Sequence, residues 1–195
     1  MNKGRLETFS DGVIAIIITI MVLEMKAPHG TGLEALRPLW PVFLSYVLSF
    51  VYVAIYWNNH HHMLHVTERV SGNVLWANTH LLFWLSLIPF ATAWMGENHF
   101  APAPTALYGV VLLMAGIAYL ILVRAILAVE GRHSILATAI GDDFKGRVSL
   151  LLLVVAIPSA FIHQWIAGAL YVMVALMWLI PDRRIERLVS THQGG

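Results

Sequence analysis

Arg5-Leu-Glu-Thr-Phe-Ser-Asp-Gly-Val-Ile-Ala-Ile-Ile-Ile-Thr-Ile-Met-Val-Leu-Glu24 reads as a single helix at the very N-terminus of the chain. Between Asp11 and Glu24 lie twelve residues without a charge. Twelve residues of helix cover ~18 Å. A bilayer core is ~30 Å thick, and a lipid-facing span needs about 20 apolar residues. Such a helix is either buried in a soluble protein or crosses a membrane with one or both carboxylates inside the hydrocarbon zone. The second arrangement requires protein or water against the carboxylates, because a lipid-facing charge at the bilayer centre costs about 2.5–3.5 kcal/mol or more.

Composition decides between them. The 195 residues are 58% hydrophobic and 12% charged, and the mean hydropathy is +0.73. Soluble domains average about 25% charged residues. The charges also cluster. Residues 70–96, 98–123 and 148–181 contain no Asp, Glu, Lys or Arg. The chain therefore reads as an all-α integral membrane protein. A net charge of +1 and the absence of a basic cluster give no support to a nucleic-acid partner. With no cysteine there is no disulfide framework and no thiol-based metal or redox site. Lys3, Arg5 and the apolar run after them resemble a signal peptide only superficially. Asp11 and Glu24 flank the run, and no small-residue cleavage site follows.

Six transmembrane helices are expected, at about residues 3–25, 38–62, 73–95, 105–129, 148–162 and 165–180. They form one domain over residues 1–182, followed by a tail at 183–195 whose last six residues read as disordered. Pro38 and Pro41 open the second helix. Pro89 is expected to bend the third. Glu130–Arg147 is a charged link with room for a short surface helix, and Pro158 lies inside the fifth span. With six spans both termini share a side. That side carries Lys3, Arg5, Arg69, Arg124, Arg132, Lys145, Arg147, Arg183, Arg184 and Arg187, against Lys26 and Arg37 on the other. The asymmetry predicts cytoplasmic termini. No internal repeat is visible, which weakens an inverted-repeat transporter.

On helix 1, Gly12, Ile16, Thr19, Ile20 and Leu23 share a face, with Asp11 about 140° away from Ile16. An aliphatic stripe of this kind is most often a core or lipid contact, and spacing alone leaves it there. Asn73, Trp76 and His80 share a face of helix 3. A hydrogen-bonded set of Arg5, Ser10, Asp11, Trp76 and His80 would lock helix 1 in place; a proton relay is the sharper alternative reading of these intramembrane polar groups. In His60-His-His-Met-Leu-His65, His61 and His65 stand at i and i+4 and are able to chelate one ion. Membrane metal oxygenases need several such boxes, so no metal site is assigned and a polar helix end is the plainer reading. No nucleophile triad or phosphate loop is present, and an enzyme is not expected.

Arg5-x-x-x-Phe9-Ser10-Asp11-Gly12 followed by an Ile/Thr/Leu helix resembles the signature of the transmembrane protein 175 family of lysosomal and prokaryotic potassium channels. Trp57-x-x-His60-His61 on helix 2 and Trp76 and His80 on helix 3 are similar to that family in a softer way. The resemblance implies a six-helix prokaryotic chain that assembles as a homotetramer, with helix 1 lining a central pore. It implies a constriction of aliphatic side chains at Ile16, Ile20 and Leu23, with Thr19 at the position whose hydroxyl favours potassium. It assigns Arg5, Phe9, Ser10 and Asp11 to holding helix 1, with Trp76 and His80 as neighbours. Potassium, and other monovalent cations less readily, would be the permeant species, with no cofactor, in the lipid of a prokaryotic cell membrane. A proton-coupled secondary transporter using Asp11 and His80 is the alternative.

Overall fold

The computed structural model of the chain describes residues 3–131, 134, 136, 137 and 143–179. Among these residues the secondary structure is helical throughout. Helix α1 spans Lys3–Leu23, and a 3-10 segment at Leu33–Leu39 leads into α2, Trp40–His65. Then follow α3, Gly72–Ser86; α4, Ile88–Glu97; α5, Pro102–Glu130; α6, Phe144–Ile162; and α7, Gln164–Leu179. Among the described residues, five passages are long and apolar enough to cross a membrane, α3 and α4 counting as one; α7 is a shorter apolar helix, of 16 described residues.

The departures from the expected boundaries have local causes. The third span is divided at Leu87, so Pro89 sits in the first turn of α4, where its missing N–H breaks no helical bond. Pro38 lies in the 3-10 segment, and α2 itself starts at Trp40 with Pro41 in its first turn. At its other end α2 runs three residues past the expected stop, to His65, because no glycine or proline interrupts it. Pro102 and Pro104 likewise begin α5 early, and Gly131, at φ 90°, ends it. Asp143 caps α6 by accepting from the Gly146 N–H at 3.2 Å. A single extended residue, His163, separates α6 from α7. The expected short helix within 130–147 and the tail beyond Leu179 lie largely or wholly outside the described residues.

Helix α5 is the hub, packing on α3, α4, α6 and α7. Its Ala115, Ala118, Leu122 and Ile126 are fully enclosed. Gly109 lets Tyr171 of α7 approach closely, and the Tyr171 hydroxyl donates to the Thr105 carbonyl at 3.0 Å. Tyr52 of α2 in turn donates to the Tyr171 carbonyl at 2.7 Å. Ser49, Thr92 and Tyr108 join hydroxyl to hydroxyl between α2, α4 and α5. Inside a bilayer such groups find no water, so mutual pairing is what permits their burial. Helix α1 stands at the margin of this bundle, packed mainly on α2, α3 and α4.

Candidate functional site on helix α1

One stripe of α1 is buried in its own chain. Leu6, Ser10, Ile14, Ile17 and Met21 recur at three- and four-residue steps and are all buried. On an adjoining face the helix is apolar too, and exposed. Ile16 is 59% exposed, Ile20 41% and Leu23 72%. Phe9, seven residues before Ile16 and at nearly the same azimuth, is exposed as well. A side chain added at Gly12 would meet nothing within 4 Å. Thr19 is exposed on this face, and its hydroxyl donates to the Ala15 carbonyl at 2.8 Å, which fixes its rotamer.

Polar anchors hold the buried side. Ser10 donates to the Leu6 carbonyl at 2.9 Å and accepts from the Asn78 amide of α3 at 3.0 Å. The Asn78 oxygen then faces His60 of α2, with 2.7 Å between Oδ1 and Nε2. Because Asn78 uses its NH2 on Ser10, the His60 nitrogen must carry the proton and donate. All three residues are buried, so the set ties α1, α2 and α3 together with no water available as a substitute. Nearer the surface, Asp11 accepts from the Trp57 indole of α2 at 3.0 Å. Lys3 donates to the His65 carbonyl at 2.7 Å, pinning the first turn of α1 to the end of α2.

The expected set of Arg5, Ser10, Asp11, Trp76 and His80 does not come together within one chain. Asp11 goes to Trp57. Ser10 goes to Asn78. His80 accepts from Trp84 of its own helix at 2.9 Å. Trp76 is 78% exposed, and Arg5 and Phe9 face outward. The reason is rotation: Asn78 lies about 160° around α3 from Trp76, so turning Asn78 inward turns Trp76 outward. Asn78 was not singled out in the sequence. Its signal was an amide inside a charge-free run of helix, a residue that must find a partner in a membrane.

Comparison with known proteins falls on the same segment. A family described as "Endosomal/lysosomal potassium channel TMEM175" matches residues 5–89, which contain Ser10, Asp11, Ile16, Thr19, Ile20, Leu23, Trp57, His60 and Asn78. The chain is 54% identical to a potassium channel of Chryseobacterium sp. (strain P1-3) over 192 residues, covering 98% of this chain and 100% of that one. It is 34% identical to a potassium channel of Streptomyces collinus over 128 residues, covering 61% of this chain and 62% of that one. Among solved structures it superposes on a lysosomal potassium-selective channel TMEM175 homolog from Chamaesiphon minutus. The TM-score is 0.79 at 30% identity, covering 91% of this chain and 96% of that one.

Proposed function

The chain belongs to the TMEM175 family, and from that premise we propose that it is a potassium channel, a homotetramer in which four copies of α1 surround a central pore. It is a multi-pass membrane protein, and the relatives that share its length are named as channels rather than enzymes. The observation that carries the finer reading is the uncovered stripe of Ile16, Ile20 and Leu23 on a helix whose other side is anchored by Ser10 and Asp11. A stripe left bare by its own bundle is available to other copies of the same helix.

Four such stripes around an axis make rings of bulky aliphatic side chains. Rings of this kind resist wetting, so an ion passes only by shedding part of its hydration. Potassium sheds water more readily than sodium, which gives a modest preference without a filter of carbonyls. The Thr19 layer adds four hydroxyl oxygens between the Ile16 and Leu23 levels. With α1 on the axis, the twelve charge-free residues between Asp11 and Glu24 suffice, because an axial helix meets no lipid. The positive-inside asymmetry supports cytoplasmic termini, with the tetramer spanning a prokaryotic cell membrane. A proton relay through Asp11 and His80 gains nothing from the hydrogen bonds, which send those side chains to Trp57 and Trp84 respectively.

Planar-bilayer recording of purified protein tests the reading. Current that follows the potassium gradient, with a reversal potential displaced toward potassium in mixed potassium and sodium, is the expected result. Flux that requires a proton gradient would overturn it, and light scattering that gives a monomer would remove the central pore.

A further inference from the structure

We propose that His61 and His65, on the last two turns of α2, form a two-imidazole site for a late first-row divalent cation of the copper, nickel or zinc type. They stand one helical turn apart on one face, and both are exposed. Their rings lie nearly parallel, at 25°, with centroids 6.2 Å apart. Two imidazoles bound to one such ion at about 2.0–2.1 Å per bond need nitrogens roughly 3.3 Å apart. Exposed rings reach that separation by side-chain rotation, with no movement of the helix. The neighbouring histidines are not available to the pair. His60 is buried and committed to Asn78. His62 projects about 100° further round the helix and meets His61 edge-on.

The chemistry of the donors selects the ion. Among the described residues no group of three or more His, Cys, Asp or Glu is placed to hold a metal. The pair is therefore bidentate, with water completing the shell. Neutral imidazoles without carboxylates are poor ligands for calcium or magnesium, and they favour copper over nickel, and copper over zinc. A second observation gives the site consequences beyond α2. Trp57 stacks on His61, at 24° and 5.9 Å, and it is the indole of Trp57 that donates to Asp11. His65 accepts from Lys3 through its carbonyl. An ion held between the two rings fixes the surface on which Trp57 rests, at the point where α2 grips α1. Trp57 thereby becomes an optical reporter of occupancy.

The test uses full-length, tag-free protein in detergent, titrated with Ni2+ while tryptophan fluorescence is followed, and with Zn2+ in a calorimeter. One saturable site per chain is expected. His61→Ala and His65→Ala should each weaken binding by about tenfold or more, since losing a ligand costs at least what losing a ligand's support does. His62→Ala should bind as the parent does. Trp57→Phe should keep the Zn2+ heat and lose most of the Ni2+ quenching. Unchanged elution on size exclusion identifies folded variants. Absence of saturable binding in the parent would overturn the proposal. So would equal affinity in the His61→Ala/His65→Ala double variant, or a loss at His62→Ala matching that at His61→Ala.

Discussion

Trp57 of α2 donates its indole N–H to the Asp11 carboxylate of α1 across 3.0 Å, joining residues 46 positions apart in the chain. The pair lies at the rim of the bundle, with both side chains exposed. This bond links α1 to α2, and Asp11 is expected to help hold α1 against it. Trp57→Phe keeps the ring and removes the donor. It should cost about 1 kcal/mol, a charge-assisted bond discounted for its exposure. Asp11→Ala should lower thermal stability and tetramer yield more than it alters ion preference, while Asp11→Asn, which still accepts, should be milder. Melting curves and size-exclusion profiles in detergent check this. A fully stable Asp11→Ala tetramer with altered selectivity would instead place Asp11 in the conduction path.

Ser10, Asn78 and His60 form the deeper anchor, and their burial makes the expected losses larger. Removing Asn78 leaves the buried His60 imidazole without its partner, at about 1–3 kcal/mol, and strips Ser10 of the bond it accepts, while its bond to the Leu6 carbonyl remains. Asn78→Ala should therefore rank among the most damaging single changes in α3. Ser10→Ala combined with Asn78→Ala should cost less than the sum of the two, because both remove the same bond. Unfolding free energies of the two single variants and the double variant test this directly; strict additivity would mean that the three side chains do not act as a unit.

The crossing helices were legible because lipid demands long apolar runs, and Pro89 marked the neighbourhood in which the third span divides, at Leu87. Rotation about the helix axis was not legible. A soluble helix shows which face is inside by being polar on the other. Here Ile14, which is buried, and Ile16, which is exposed, are the same residue type, since core and lipid ask for the same side chains. The spacing of Ile16, Ile20 and Leu23 therefore fixed a shared face without fixing its direction. Polar residues carry the missing information, but only pairwise: Asn78 could be placed once Ser10 and His60 were known to meet it.

Gly96 marks a close approach of α4 to α2. A Cβ there would run into the Ser45 hydroxyl and come within 2.8 Å of the Val42 Cα. The hydroxyl can rotate away, but the backbone atom cannot. Gly96→Ala should destabilise by about 1–3 kcal/mol, the usual cost of overpacking. Gly168→Ala, with nothing within 4 Å of its added methyl, should be neutral or slightly stabilising in melting temperature.

Asp143 caps α6 from a left-handed backbone, φ 40° and ψ 45°. Burial raises its carboxyl above the ordinary carboxylate value, outweighing the Gly146 N–H and the attraction of Arg147 and Arg124. A carboxyl raised on folding is harder to ionise in the folded chain than in the unfolded one. Its ionisation therefore opposes folding as pH rises through the carboxylate range, and stability from this residue is greatest at acid pH. Asp143→Asn keeps the acceptor, tolerates the left-handed backbone and carries no charge. At neutral pH it should match or exceed the parent, with a flatter dependence on pH. Asp143→Ala loses the cap, at about 1 kcal/mol, and adds backbone strain. Melting temperatures of the three proteins at mildly acidic and neutral pH decide the matter.

Ile16, Ile20 and Leu23 are expected to set the conduction barrier, and the proposed four-fold assembly would multiply any substitution among them. Ile16→Ala should widen the ring, ease its wetting and raise conductance. Ile16→Asn should in addition admit sodium, because four amides let an ion keep part of its hydration and so erase the difference in dehydration cost between the two cations. Thr19→Val preserves shape and removes the hydroxyl; it should reduce the potassium preference without closing the pore. The internal control is Ile18, which differs from Ile16 in azimuth by about 160° on a regular helix and is partly buried against the bundle. Ile18→Asn places the same amide at almost the same height on the wrong face. It should lower stability, while channels that still assemble keep the parent's reversal potential. Reversal potentials in mixed potassium and sodium for Ile16→Asn and Ile18→Asn give the comparison. A large shift toward sodium for the first and none for the second is expected. Equal shifts, or a shift for Ile18→Asn alone, would mean that a different face of α1 lines the path.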